Sequence, residues 1–194
     1  MYGASLTARG IRPSLSTTWQ RIPLQTFPVV GILLEQITRQ PLHSIYRGVI
    51  FDPLGMEGTW LEGHEPSRQL EIAHHYDGEV DMAEVSPTID WAGGGLVTTA
   101  SDLTRFMRAL WSRQILNSDG LDELTNWTAG ASFPPGYAVR YDDYGLGTGR
   151  IVVVGAFAFH APEYDAVLVG THNQSEVDRW PLVGALCREL HNVN

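Results

Sequence analysis

The stretch Ala92-Gly93-Gly94-Gly95-Leu96-Val97-Thr98-Thr99-Ala100-Ser101-Asp102-Leu103 changes character twice. Consecutive glycines favour a tight turn, because only glycine enters every backbone region at no steric cost. Leu96-Val97-Thr98-Thr99 lead on from it to Ser101. Thr99 or Ser101 can cap a helix whose first turn holds Asp102, where a negative charge opposes the helix dipole. Leu103, Phe106, Met107 and Leu110 recur on one helical face, which predicts a helix over 101–112 with Arg105 and Arg108 turned outward. That stripe needs a core to lie against.

Working outward, Pro28 suits a first helical turn, and Val29, Val30, Leu33, Leu34 and Ile37 follow at helical spacing to about Arg39. Pro41 opens a second helix, with Leu42, Ile45, Tyr46, Val49 and Ile50 on one face and Asp52-Pro53-Leu54-Gly55 as its stop. The two are expected to pack as a hairpin. Residues 1–27, punctuated by Gly3, Gly10, Pro13 and Pro23, show no period and read as irregular. Residues 57–90 form a long acidic region with one short strand expected at 71–76. Downstream lie a helical piece at 121–127, a break at Pro134-Pro135-Gly136, strands at 144–149, 151–159 and 166–172, and a terminal helix at 176–191. The fold class is α+β, with antiparallel strands and flanking helices.

The chain of 194 residues is about one domain long, and 43% apolar with 18% charged residues is a globular composition. Thirteen basic against twenty-two acidic residues leave a net charge of −9, so a phosphate-tracking surface would have to be built against the field of the whole protein, and no nucleic-acid partner is expected. All thirteen basic residues are Arg. Without lysine there is no Schiff base, no P-loop lysine and no lysine general base, since guanidinium keeps its proton. Cofactors are expected to play no part. The single Cys187 excludes an internal disulfide or a Cys-x-x-Cys metal site, and its spacing with Val183, Leu186 and Leu190 puts it on a buried helix face. Met1 to Gly10 lack the apolar stretch of a signal peptide, and no later run approaches the ~20 residues of a membrane span. As written, the chain is expected in the cytoplasm, or in the periplasm or medium if its natural start lies upstream.

Gly31-Ile-Leu-Leu-Glu35, Gln40-Pro-Leu42, Ile50-Phe-Asp-Pro-Leu-Gly-Met56 and Ala92 to Leu103 together resemble the serine hydrolases that include class C β-lactamases, D-alanyl-D-alanine carboxypeptidases and related esterases. Tyr144-Gly-Leu-Gly147, the turn Ala161-Pro-Glu-Tyr-Asp165 and Asn173-Gln174 are similar to the end of that fold. The resemblance implies that residues 28–194 are the C-terminal part of a β-lactamase-like domain. It implies acyl-enzyme hydrolysis of an ester, amide or β-lactam, and sets Trp91, Gly93, Gly94 and Gly95 at the mouth of the substrate cleft.

The family's three catalytic motifs are not found. Ser-x-x-Lys is excluded by the absence of lysine. Where Tyr-x-Asn belongs, counted back from Gly31, stand Ile22-Pro23-Leu24, none able to move a proton. The His- or Lys-Thr/Ser-Gly expected after Gly149 is replaced by Arg150-Ile-Val-Val-Val-Gly155. No catalytic residue is therefore assigned. The expectation is a truncated or degenerate member of the family, inactive alone, with a non-catalytic binding or assembly module as the alternative.

Rival sites are weaker. His64, His74, His75 and Asp77 offer metal-type ligands, but neighbouring histidines on an extended segment point to opposite faces and no zinc spacing is present, so no metal is assigned. His172, Ser175 and Asp178 lack the glycines of a nucleophile elbow. Gly93 to Gly95 could cradle an anion before a helix, although a tight turn explains them. Residues 151–159 are apolar at consecutive positions, as in a strand covered on both faces. The terminal helix covers only one, so a homo-oligomer or a complementing chain is expected to cover the other.

Overall fold

A computed structural model describes residues 26–68, 70–81, 91–124, 138–141, 146–149, 156–161, 164–174 and 180–193. Helix α1, Thr26–Thr38, begins two residues before Pro28, which therefore sits inside its first turn, where a missing N–H costs nothing. It ends with Arg39 in the left-handed region at φ 60, its N–H donating to Glu35 O at 2.9 Å. The second predicted helix divides. Leu42–Tyr46 (α2) is α-helical, and Arg47–Phe51 widens into a π-turn in which Asp52 N–H donates to Arg47 O at 2.9 Å. The Arg47 guanidinium lies 5.3 Å from the centre of the Phe51 ring and pairs with the nearly buried Glu65 at 2.9 Å. Glu65 in turn accepts from Leu61 N–H at 2.8 Å.

Two short antiparallel pairs follow. Trp60–Leu61 (β1) pairs with Leu96–Val97 (β4), and Tyr76–Asp77 (β2) with Val80–Asp81 (β3). The strand expected at 71–76 thus shrinks to a hairpin arm starting at Tyr76. Its left-handed turn residue, Gly78 at φ 61, fixes where the chain reverses. The glycine stretch is not a tight turn: Trp91–Gly94 make a single helical turn, α3, leading into β4.

Ala100–Trp111 (α4) is capped by Thr99, whose hydroxyl accepts from Asp102 N–H at 3.1 Å. Leu103 and Met107 are buried and Arg105 and Arg108 exposed, as the stripe predicts, whereas Phe106 and Leu110, expected to be buried with them, are half-buried. Ser118–Leu124 (α5) starts three residues before the predicted 121, and 125–127 lie outside the described residues.

The main sheet is an antiparallel meander in the order β5-β6-β7-β8: Ala138–Tyr141 (β5), Leu146–Gly149 (β6), Phe157–Ala161 (β7) and Ala166–Gly170 (β8). The register sets Thr148 opposite Phe159 and Phe159 opposite Leu168. β5 was not predicted from sequence; Tyr144 and Ile151 to Gly155 lie outside the described residues. Helix α6, Trp180–Val193, closes the chain, with Leu186 and Leu190 on Phe157, Phe159 and Ala161. The side chain of Cys187 lies outside the described set.

The expectation of a half-covered central strand needs correction over its described part. Phe157, Phe159 and Ala161 point to α6, while Ala158 packs with Leu103 and Met107 of α4. Alternation sends successive side chains to opposite faces, and the α4 stripe covers the second face. The bare apolar surface lies instead on α1, where Val29, Val30, Ile32, Leu33 and Ile37 are exposed. Among the described residues, no helix is long and apolar enough to cross a membrane.

Candidate functional site

Trp91 to Gly95 occupy a wedge between α1 and the β1 side of the molecule. Gly31 makes the α1 contact possible. A Cβ at position 31 would sit 2.7 Å from Ala92 Cβ, closer than real atoms approach, and a tight 3.0 Å from the Trp91 ring. Trp91 is half-buried, has φ 28 and tilts 42° to the His64 ring at 6.2 Å between centres. A tryptophan in the positive-φ region is held there by its surroundings at a cost of roughly 1–3 kcal/mol. Gly95 is buried, donates its N–H to Trp91 O at 2.9 Å and accepts from Glu62 N–H at 2.8 Å. Any Cβ at 95 would come within 2.9 Å of that same Trp91 carbonyl. Gly93 and Gly94 are exposed on the outer side. The four expected cleft residues thus share one turn, with the ring and Gly95 held in place and the two middle glycines open.

Asp102 ties the Gly58-Thr59 segment to the first turn of α4. Its side chain is 3% exposed, and Oδ2 accepts from Gly58 N–H at 2.8 Å and from Thr59 Oγ1 at 3.0 Å. Oδ1 accepts from Arg105 at 2.6 Å. Thr59 Oγ1 and Thr98 Oγ1 lie 2.8 Å apart. Sequence reasoning read Asp102 only as a first-turn acid, because its partners Gly58 and Thr59 lie more than forty positions away in the chain.

The remaining candidates do not assemble. His74 Nδ1 pairs with Asp81 at 2.6 Å, and His64 lies instead by Trp91. Among the described residues, no three His, Cys, Asp or Glu side chains are placed to hold a metal ion. His75 and His172 share an open concavity of about 380 Å³, and both ring nitrogens of His172 are buried without a hydrogen-bond partner among the described residues. Ser175 and Asp178, the other members of that trio, lie outside the described residues. Ser101 is exposed in the first turn of α4.

His160 stacks on Trp111, rings 4.8 Å apart and 15° from parallel. Burial pushes its pKa below the usual histidine value; Asp165 acts against this and Arg108 reinforces it. It lies on β7 beneath α4, where it braces the sheet.

Solved structures with the same fold include the D-amino acid amidase of Ochrobactrum anthropi SV3, with TM-score 0.69 and 22% identity over 89% of this chain and 57% of the amidase. A D-stereospecific amidohydrolase from Streptomyces sp. superposes with TM-score 0.67 and 20% identity, over 85% of this chain and 54% of its own. A penicillin-binding protein from Bacillus halodurans gives TM-score 0.67 and 18% identity, over 86% and 55%. This chain spans little more than half the length of these relatives. The model of the β-lactamase family matches residues 26–181, most of the chain, and with the meander, the capped α4 and the Trp91–Gly95 turn it shows that the chain belongs to the β-lactamase-related serine hydrolase family.

Proposed function

We propose that this chain is the cleft-wall portion of a β-lactamase-family serine hydrolase and carries out no acyl transfer by itself. The carrying observation is the complete absence of lysine, reinforced by Ile22-Pro23-Leu24 where a proton-moving tyrosine belongs. A serine hydroxyl is a poor nucleophile until a neighbouring base takes its proton. Ser101, exposed on α4, has no such base among its described hydrogen bonds, and no guanidinium can serve. Truncation or degeneration of the catalytic half accounts for the three absent motifs.

The half-buried Trp91 ring beside the exposed backbone of Gly93 and Gly94, with Gly95 buried behind them, supports reading this turn as a surface for a small acyl compound of the ester, amide or β-lactam class. Structures similar to this chain include an amidase complexed with D-phenylalanine and a hydrolase with promiscuous acyltransferase activity. The strained φ of Trp91 favours a second reading, binding without turnover, because strain persists where a conformation is over-determined by its surroundings.

Labelling with a fluorophosphonate probe tests the first reading, since the reagent adds only to an activated serine. Intact mass should remain that of the unmodified chain after prolonged exposure. Stoichiometric labelling, removed by Ser101→Ala or Ser175→Ala, would overturn it. For the second reading, calorimetric titration with phenylalanine amide should give heat that Trp91→Ala abolishes; equal heats would dismiss it.

A further inference from the structure

Of the chain's seven histidines, His74, His75 and His172 line one concavity of about 380 Å³, together with Ala73, Thr171 and Asn173. Two segments far apart in the chain make it. The approach to the β2–β3 hairpin supplies residues 73–75, and the segment leaving β8 supplies 171–173. They are fastened together where Tyr76 N–H donates to Asn173 O at 2.9 Å and Tyr76 pairs in parallel with Gln174. Two residues back from that pairing stand His74 on one segment and His172 on the other. No ligand spacing announces this in the sequence, because only the fold brings the two histidines to one wall.

His172 lacks what a buried imidazole needs. A neutral ring carries one N–H donor and one acceptor nitrogen, and both nitrogens of His172 are buried without a hydrogen-bond partner among the described residues. Buried polar atoms are as a rule satisfied, so an orphaned pair points to a ligand. His74 shows the complementary feature. Its Nδ1 lies 2.6 Å from Asp81 Oδ2, and with Nδ1 as the donor the lone pair of Nε2 is available to a cation. A carboxylate holding one ring nitrogen while the other meets an ion is the usual support of a metal-binding histidine, since it fixes the tautomer and makes the ligand nitrogen more basic. The surrounding charge suits a cation as well. Asp77, Glu79 and Asp81 lie on the hairpin, and the chain carries a net charge of −9, so an anion would meet repulsion. Imidazole favours Ni²⁺, Cu²⁺ and Zn²⁺ over Mg²⁺ and Ca²⁺, which prefer oxygen ligands.

We propose that His74 and His172 bind a single divalent transition-metal ion, typified by Zn²⁺, with Asp81 orienting His74 and water filling the remaining positions. The site is a two-imidazole one, because among the described residues no three side-chain donors are placed to hold an ion. Bound there, the ion cross-links the β2–β3 hairpin to the end of β8. It acts on stability, since a ligand held only by the folded chain favours folding. The site is separate from the Trp91–Gly95 turn and stands whether or not the proposed function does.

The test is calorimetric titration of the full chain, prepared without a polyhistidine tag, with zinc chloride, followed by thermal melts with and without the ion. One Zn²⁺ per chain is expected, with a melting temperature that rises with Zn²⁺ and returns on adding EDTA, while Mg²⁺ gives no heat. His74→Gln, at a position 61% exposed, should weaken binding by roughly tenfold or more in a chain that still melts cooperatively. His172→Gln should weaken it as much. Asp81→Asn should also cost about 10-fold to 100-fold, and Asp81→Glu, which keeps the carboxylate, should recover part of that loss. His43→Gln on α2 should change nothing. Absence of stoichiometric binding, binding indifferent to His74→Gln, or equal weakening by His43→Gln overturns the inference. Should His172→Gln fail to fold, His74→Gln decides.

Discussion

Asp102 shows how much of this structure rests on single side chains. Its carboxylate gathers the Gly58 amide, the Thr59 hydroxyl and the Arg105 guanidinium from a position only 3% exposed. Removing it strands a partly buried N–H, and an unsatisfied group of that kind costs about 1–3 kcal/mol. Asp102→Ala should therefore lower stability by about that amount in urea titrations, with Asp102→Asn intermediate. His160 supplies a second prediction, in pH. Burial lowers its folded pKa beneath the ordinary histidine value of about 6.5, so the unfolded chain binds more protons just below that value. The contribution is present above about pH 6.5 and is lost as pH falls through it. Melting temperature should drop between pH 7.5 and 5.5, and His160→Phe should flatten part of that drop; an unchanged slope would show that other groups govern it. Neither role was legible in the sequence. Asp102 meets Gly58 forty-four positions away, and His160 meets Trp111 across the sheet face, contacts that no local period encodes.

At the level of elements, periodicity served the longer helices. The Leu103 and Met107 stripe of α4 lies where its spacing places it, on Ala158. Met107→Ala should cost about 2–4 kcal/mol, within the range for emptying a core site, and Phe106→Ala, half-buried, should cost less. An unchanged melting temperature for both would show the packing to be wrong. Two-residue strands such as β1 and β4 have no period to read, which is why they were missed. The glycine stretch was legible as a special backbone, but its form as a helical turn followed from packing. Gly31 is the clearest case. Alanine there gains up to about 1 kcal/mol of helix propensity, yet its Cβ would overlap Ala92, which has no flexible end to move aside. Overpacking costs about 1–3 kcal/mol, so Gly31→Ala should destabilise on balance and shift the fluorescence of Trp91.

For the molecule as a whole, the family could be read from the sequence because its segments keep order and spacing over residues 26–181. Which surface stands bare could not. Consecutive apolar residues drew attention to the strand near Phe157, but whether a face is covered depends on where α4 and α6 land. The candidate site was legible only in part. Trp91, Gly93, Gly94 and Gly95 were identified by resemblance, while the grip of Gly31 and His64 on Trp91 emerges from the fold. Residue types were the most legible level, because their count needs no coordinates: the 194 residues contain no lysine, the observation on which the proposed function rests. The most direct measurement is steady-state hydrolysis of nitrocefin and a p-nitrophenyl ester by the purified chain. The account predicts rates equal to buffer at every protein concentration. A rate that rises with protein and disappears on replacing one serine would contradict it.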